Sequence, residues 1–422
     1  MKIKLSLFPG GLVFCLLGML FIDGGCKRDH ENGPAGGGAP VFTCGGNFAD
    51  TSIIKGPAVG ENGNDHDNPF RSLAIDPGNP LVLYVGSEGN GVFRSTDGGN
   101  NWQWLRNGIH HCEEYPEIYS IAIDPANPAH LLMATNSGPG VPGWHGDGVY
   151  MSNDSGNHWM GIDTGLTSGA ANSVAFSPFN PQICLAGIAG GRSTNRNNQG
   201  QLFSGGLFSS TNGGGRWQPF YNTAPANINN WWEIKIRVSN NTFSVYSLGA
   251  SSTTDASSQP SGLFVASGNG TVKRLLFDSI VLGSPFNGSM FDVSADQRYL
   301  YVNNDSYGIP LRTIRSTDSG ATWVQTAQAG NGPIRIVGNN PNAVVFAIYS
   351  DIYRSSDGMN TATLAFSGSS LHLDNDVMDI EVAPSNSNIV YAVAKGLHVY
   401  KSSNGGAGFT EVANLRNFIN TH

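Results

Sequence analysis

Charged side chains are scarce in this chain of 422 residues, at 13%, and no long stretch shows the three-to-four-residue apolar spacing of an amphipathic helix. A helical architecture is therefore not expected. A phosphate-binding glycine loop, a nucleophile elbow, His-Glu-x-x-His and Cys-x-x-Cys are all absent, so phosphoryl transfer and thiol redox chemistry have no support. Basic excess is missing too. With a net charge of −8, the chain is a poor ligand for nucleic acid or anionic lipid through bulk charge. Glycine is abundant, at 56 residues, which suits short strands joined by tight turns.

Cysteine is also sparse, and its positions bear on export. Lys2 and Lys4 precede an apolar stretch from Leu5 to Ile22, followed by Gly24, Gly25 and Cys26. This is the layout of a secretory signal over residues 1–25, and a cysteine after small residues is similar to a bacterial lipoprotein cleavage site. Cys26 is thus the candidate lipidation residue, although Asp23 departs from the apolar residue usual there. Residues 26–42 are polar and glycine-rich and read as a flexible tether, with the folded body at 43–422. Export places that body in the periplasm or on the outer surface, touching a membrane only through its N-terminal lipid or anchor. Cys44, Cys112 and Cys184 remain, allowing either one disulfide between Cys44 and Cys112 or three free thiols.

A short phrase recurs along the body. It reads RSTDGGNNW at Arg94–Trp102, MSNDSGNHW at Met151–Trp159, SSTNGGGRW at Ser209–Trp217 and RSTDSGATW at Arg315–Trp323, with worn copies from Arg354 and Lys401. The interval from Ser210 to Ser316 is about two periods wide, and GLFVAS at Gly262–Ser267 matches the lead-in of the other copies. A degenerate copy at Ser267 therefore brings the expected count to seven. Each repeat also carries two earlier strands around a Pro/Asn turn, as in SLAIDPGNPLVLYVGS from Ser72. The fold expected is all-β, a seven-bladed β-propeller of four-stranded antiparallel blades with Asp-box hairpins. In each hairpin the Asp or Asn accepts hydrogen bonds from turn amides, glycine supplies positive φ, and Trp fills the gap between blades. Asp97, Trp102, Asp154, Trp159, Asn212, Trp217, Asp318 and Trp323 are accordingly structural.

These copies resemble the Asp-box, or BNR, repeat of sialidases, sortilin-type receptors, xyloglucan-degrading glycosidases and photosystem assembly factors. The resemblance implies that the boxes lie away from the usual ligand face, which is built from connections between blades and from loops between second and third strands. It also puts Glu88 where xyloglucanase-type enzymes carry a catalytic Asp. Glycoside hydrolysis needs a second carboxylate, which that family takes from a second propeller, and this chain has room for one. PFRSL at Pro69–Leu73 faintly resembles the first arginine motif of sialidases, with Arg237 and Arg335 on later innermost strands.

Long loops occur in the second, third and fourth repeats, where function tends to reside on a rigid scaffold. Together with the connections NGIHHCEEYPE and NTAPANINNWWE, they offer His110, His111, Glu113, Glu114, Trp144, His145, Asp147, Arg192, Arg196, Trp231 and Trp232. Aromatic faces beside carboxylates and amides suit a sugar; Trp231 and Trp232 equally suit the opening of a core strand. Adjacent His and Glu residues on an extended segment point in opposite directions, so no metal or other cofactor is expected. The expectation is a monomeric, surface-tethered propeller binding a polysaccharide or protein through Glu113, Glu114, Trp144, His145, Asp147, Arg192, Trp231 and Trp232. A glycosidase with Glu88 as its one candidate acid is the alternative, followed by an envelope scaffold or assembly factor.

Overall fold

A computed structural model describes most of residues 70–415, with breaks at 89, 110–116, 137–147, 167–168, 189–190, 193–201, 204–205, 221–230, 239–243, 252–261, 268–271, 276–287, 305–310 and 369–375. The signal and tether, Cys26, Cys44, Cys112 and the segment from Phe42 to Gly60 lie outside the described residues. Those residues form an all-β propeller of four-stranded antiparallel sheets. Seven such sheets follow the chain, with innermost strands Phe70–Ile75, Glu117–Ile123, Ala171–Phe176, Trp231–Val238, Gly288–Val293, Ile334–Ile336 and Val377–Val382. Each innermost strand neighbours the next, and the last neighbours the first. The third sheet carries an inserted hairpin, Gly191–Arg192 against Leu202–Phe203.

Apolar runs explain the core. The second strands Leu83–Ser87, Leu131–Asn136, Cys184–Ile188 and Val390–Ala394 are buried throughout, because each lies inside its own sheet and between two neighbouring sheets. The first and last sheets close the ring through Leu73, Ile75, Leu83 and Val85 packed with Tyr391, Val393 and Val399. Pro/Asn turns join first and second strands as the sequence implies; Asp76 Oδ1, for instance, accepts from Gly78 N at 2.8 Å.

The expectation of seven blades with Asp-box hairpins requires correction. In six sheets eight residues join the last two strands, between the pairs Arg94 and Gln103, Met151 and Met160, Ser209 and Gln218, Arg315 and Val324, Arg354 and Thr363, and Lys401 and Thr410. In the fourth sheet Ala266 pairs with Val272, leaving five residues, too few for a phrase running from Ser to Trp. Blades of the hairpin type number six, not seven, and Ser267 does not begin another.

Within these six hairpins one hydrogen-bond pattern repeats. The serine hydroxyl donates to the Asp or Asn side chain two residues on, at 2.9 Å from Ser95 to Asp97 and 2.8 Å from Ser210 to Asn212. The same hydroxyl accepts the amide four residues on, at 2.8 Å from Gly156 and 2.8 Å from Gly320. Positive φ at that fourth position, 98° at Gly99 and 90° at Gly214, explains the glycine. Met359 occupies it in the worn copy, with φ 68°. Trp159 and Trp217 are buried against the preceding sheet, where Trp159 N donates to Asn107 O at 2.9 Å and Trp217 Nε1 to Ile162 O. Trp323 donates to Leu275 O at 3.0 Å, and the partly buried Trp102 packs beside Val412 of the last sheet.

Two outcomes follow from this hairpin. Trp159→Ala should lower stability by about 3–5 kcal/mol, read as a reduced urea midpoint; an unchanged midpoint would remove the interblade role. Asp318 and Asp357 are held down at about 2, from an ordinary 3.8, by the Thr322 hydroxyl and amide and by the Thr361 amide and hydroxyl. Because the folded value is depressed, their stabilisation is full above the ordinary value and is lost as pH falls through about 2. Asn already fills this position at Asn212 and Asn404, so the double variant D318N/D357N should fold and show a shallower acid decline in melting temperature.

Candidate functional site

Innermost strands in a propeller leave one edge unpaired, and here side chains of the preceding sheet reach those edges. Leu73 N donates to Asp379 Oδ2 at 3.1 Å, Val174 N to Ser120 Oγ at 3.3 Å, and Ile336 N to Asp292 Oδ2 at 2.8 Å. Between the strands lies an axial cavity of about 330 Å³. Ser72, Ser120 and Ser173 line one side and Arg335, Asp379 and Glu381 the other.

Arg335 is 7% exposed. Its Nη2 lies 3.0 Å from Asp379 Oδ1 and 2.9 Å from Glu381 Oε1, while Nη1 donates to Ile334 O at 2.8 Å. Burial opposes its charge, but Glu381, Asp379 and Asp292 outweigh that and hold its pKa above the ordinary arginine value. The cluster ties the sixth sheet to the seventh.

A second cluster meets the cavity at Tyr119. Phe70 pairs with Ser87 and Ser72 with Gly86, so Arg71 is the extra residue of a bulge; Tyr119 is its counterpart between Ile118 and Ser120. Bulges re-aim side chains and are frequent beside functional sites. Arg71 Nη2 lies 2.9 Å from Glu88 Oε2, its Nε 3.3 Å from Glu117 Oε2, and its guanidinium 5.4 Å from the Tyr119 ring centroid. Burial again opposes the charge, and Tyr119, Glu88 and Glu117 together raise its pKa. A β-bridge joins Glu88 to Glu117. Beside them Asn90 is 2% exposed, yet neither atom of its carboxamide has a hydrogen-bond partner among the described residues. Its backbone is secured, with N donating to Ser87 Oγ at 3.1 Å and O accepting from Trp104 Nε1 at 2.5 Å.

The structure brings together only part of the expected site. Glu88 sits in the Arg71 cluster. Trp231 and Trp232 open the innermost strand of the fourth sheet, with Trp232 at a bulge between Trp231 and Glu233, and Arg192 lies on the inserted hairpin of the third. Glu113, Glu114, Trp144, His145, Asp147, His110, His111 and Arg196 lie outside the described residues. Cys184 is free and buried, its thiol pushed up to about 12 chiefly by that burial. Asn90, Glu117 and Tyr119 escaped the sequence reading, and Arg71 entered it only through a faint motif. A usable signal existed, since Arg71 and Tyr119 each directly precede the repeated frames SLAIDP and SIAIDP.

No family model and no curated protein sequence matches the chain. Among solved structures it is similar to the GH74 xyloglucanase from Xanthomonas campestris, with TM-score 0.57 and 13% identity over 81% of this chain and 52% of that one. An ancestral GH74 enzyme gives TM-score 0.58 and 16% identity over 82% and 46%. YCF48 bound to D1 peptide gives 0.52 and 10% over 78% and 91%. The chain spans about half the length of the two GH74 enzymes, and at these identities the likeness is one of fold.

Arg335→Met should cost about 3–5 kcal/mol by removing the buried guanidinium that pairs with Asp379 and Glu381. Equilibrium unfolding in urea measures this, and wild-type stability in the variant would exclude a structural role for the ion cluster.

Proposed function

We propose that the chain is an exported, surface-tethered propeller that binds a polysaccharide at the Arg71–Glu88–Asn90 cluster and through the long loops of the second to fourth sheets. The observation carrying this reading is the Arg71 cluster, above all the buried Asn90 carboxamide, which has no partner among the described residues. Leaving such a group unsatisfied costs about 1–3 kcal/mol, a penalty that a ligand hydroxyl would relieve. Arg71 and Glu88 beside it add a donor and an acceptor that are already paired and only partly exposed. A neutral ligand rich in hydroxyls suits such a surface better than an ion does. Solved propellers of similar fold include GH74 enzymes, which is consistent with a glycan ligand. Cys26 and the glycine-rich tether would hold the body off the envelope.

Hydrolysis is the second reading, favoured by one observation: Glu88 and Glu117 grip the same guanidinium, so two carboxylates stand close together as a glycosidase needs. Arg71 stands with both, and this pairing suits binding better than proton transfer.

Both readings are tested by screening the purified body against plant, microbial and host polysaccharides, scoring retention and released reducing ends together. One polysaccharide class should be retained, and Asn90→Ala should weaken retention about tenfold, the scale of one lost hydrogen bond to a buried amide. Retention equal in wild type and N90A, or none in wild type, would overturn the site. Reducing ends that disappear in Glu88→Gln would instead select hydrolysis.

A further inference from the structure

The turn between the second and third strands of the sixth sheet is built on an unsuitable residue. Ile348 pairs with Asp351, so Tyr349 and Ser350 alone make the turn, and Tyr349 has φ 52°. Positive φ at the first central position of such a turn favours glycine or asparagine, and a bulky side chain there strains the backbone. Met359 and Leu397 share the conformation, but both are buried and packing holds them in it. Tyr349 is 56% exposed. Its ring gives the core little in exchange for the strain.

The backbone that carries the ring is nevertheless fixed from both sides. Tyr349 N donates to Asn331 Oδ1 at 2.9 Å, and Tyr349 O accepts from Val377 N at 2.9 Å. Val377 opens the innermost strand of the seventh sheet, where Met378 is the extra residue of a bulge between Val377 and Asp379. Arg71 holds the same bulge position in the first sheet, which neighbours the seventh. Glu88 and Asn90 also lie between a second and a third strand. Tyr349 therefore stands on the same face of the propeller as the Arg71 cluster, two sheets from it around the ring.

We infer that Tyr349 is a stacking platform for a neutral pyranose ring, a subsite on the far side of the Arg71 cluster from the long loops; this rests on the polysaccharide reading above. Strained backbone at an exposed residue is characteristic of ligand clamps, where the surrounding structure over-determines the geometry. An aromatic ring offers an apolar face to the apolar face of a sugar while its hydroxyl stays in water. Fixing the turn through Asn331 and Val377 lowers the ordering cost of that contact. Packed sheets lie about 10 Å apart, so one sugar ring cannot touch both Tyr349 and Arg71. The ligand is therefore a chain of several sugars crossing the sixth, seventh and first sheets.

The test runs the purified protein through native gels cast with xyloglucan, yeast mannan or glycogen, and measures melting temperatures in parallel. Wild type should be retarded by one of the three. Tyr349→Gly should bind that polysaccharide about fivefold more weakly, the scale of one lost ring contact, yet melt at or above the wild-type temperature, because glycine accepts positive φ without strain. Tyr349→Phe, which keeps the ring, should bind as wild type does. Retardation of Y349G equal to wild type, with Asn90→Ala weakened, would overturn the platform and leave the Asn90 site standing; the reverse pattern would support the platform and overturn the Asn90 site. Y349F as weak as Y349G would overturn stacking, and Y349G melting below wild type would make the ring structural and overturn the inference too. No retardation of wild type in any gel overturns both the platform and the polysaccharide reading.

Discussion

Contact between successive sheets is the interaction on which this molecule depends. A four-stranded sheet with a second strand as apolar as Leu131–Asn136 exposes two faces that only a neighbour on each side can cover. The ring supplies these neighbours, and polar stitches fix the spacing. Tyr301 OH reaches Pro341 O at 2.9 Å and Tyr391 OH reaches Pro80 O at 3.1 Å, each joining a second strand to the next sheet. Side chains such as Asp292 close the otherwise unpaired edges around the axis. Satisfying an edge amide from the adjoining sheet is how the propeller avoids leaving buried backbone groups without partners.

The candidate site lies where that economy is relaxed. Most buried polar groups in a native protein have partners, but here the Asn90 carboxamide has none among the described residues and Arg71 is shared between two carboxylates. The fold positions them rigidly, with Arg71 on a bulge and Glu88 bridged to Glu117 across two sheets. Rigid placement lowers the ordering cost a ligand would otherwise meet. There the local chemistry is unfinished while the backbone around it is complete.

How much of this was legible beforehand differs by level. The hairpin phrase was readable because its parts are local: Ser95, Asp97 and Gly99 bond to one another within a few residues. Strand pairing within sheets was readable for the same reason, since each strand pairs with one close in sequence. Similarity to the other lead-ins placed a hairpin copy at Ser267, where the register leaves room for five residues; apolar patterning identifies a strand without measuring the turn beyond it.

The chain alone therefore determined the all-β repeat, the local bonding of the hairpins and the Trp positions, because these depend on neighbours a few residues apart. Tertiary structure decided which polar groups meet. Arg71 and Glu117 are separated by three strands and their connections yet share an ion pair, and Leu73 takes its partner from Asp379 at the far end of the chain. Closing the ring sets those encounters, and no periodicity along the chain encodes them, because side chains brought together by closure answer to geometry in three dimensions rather than to spacing in one.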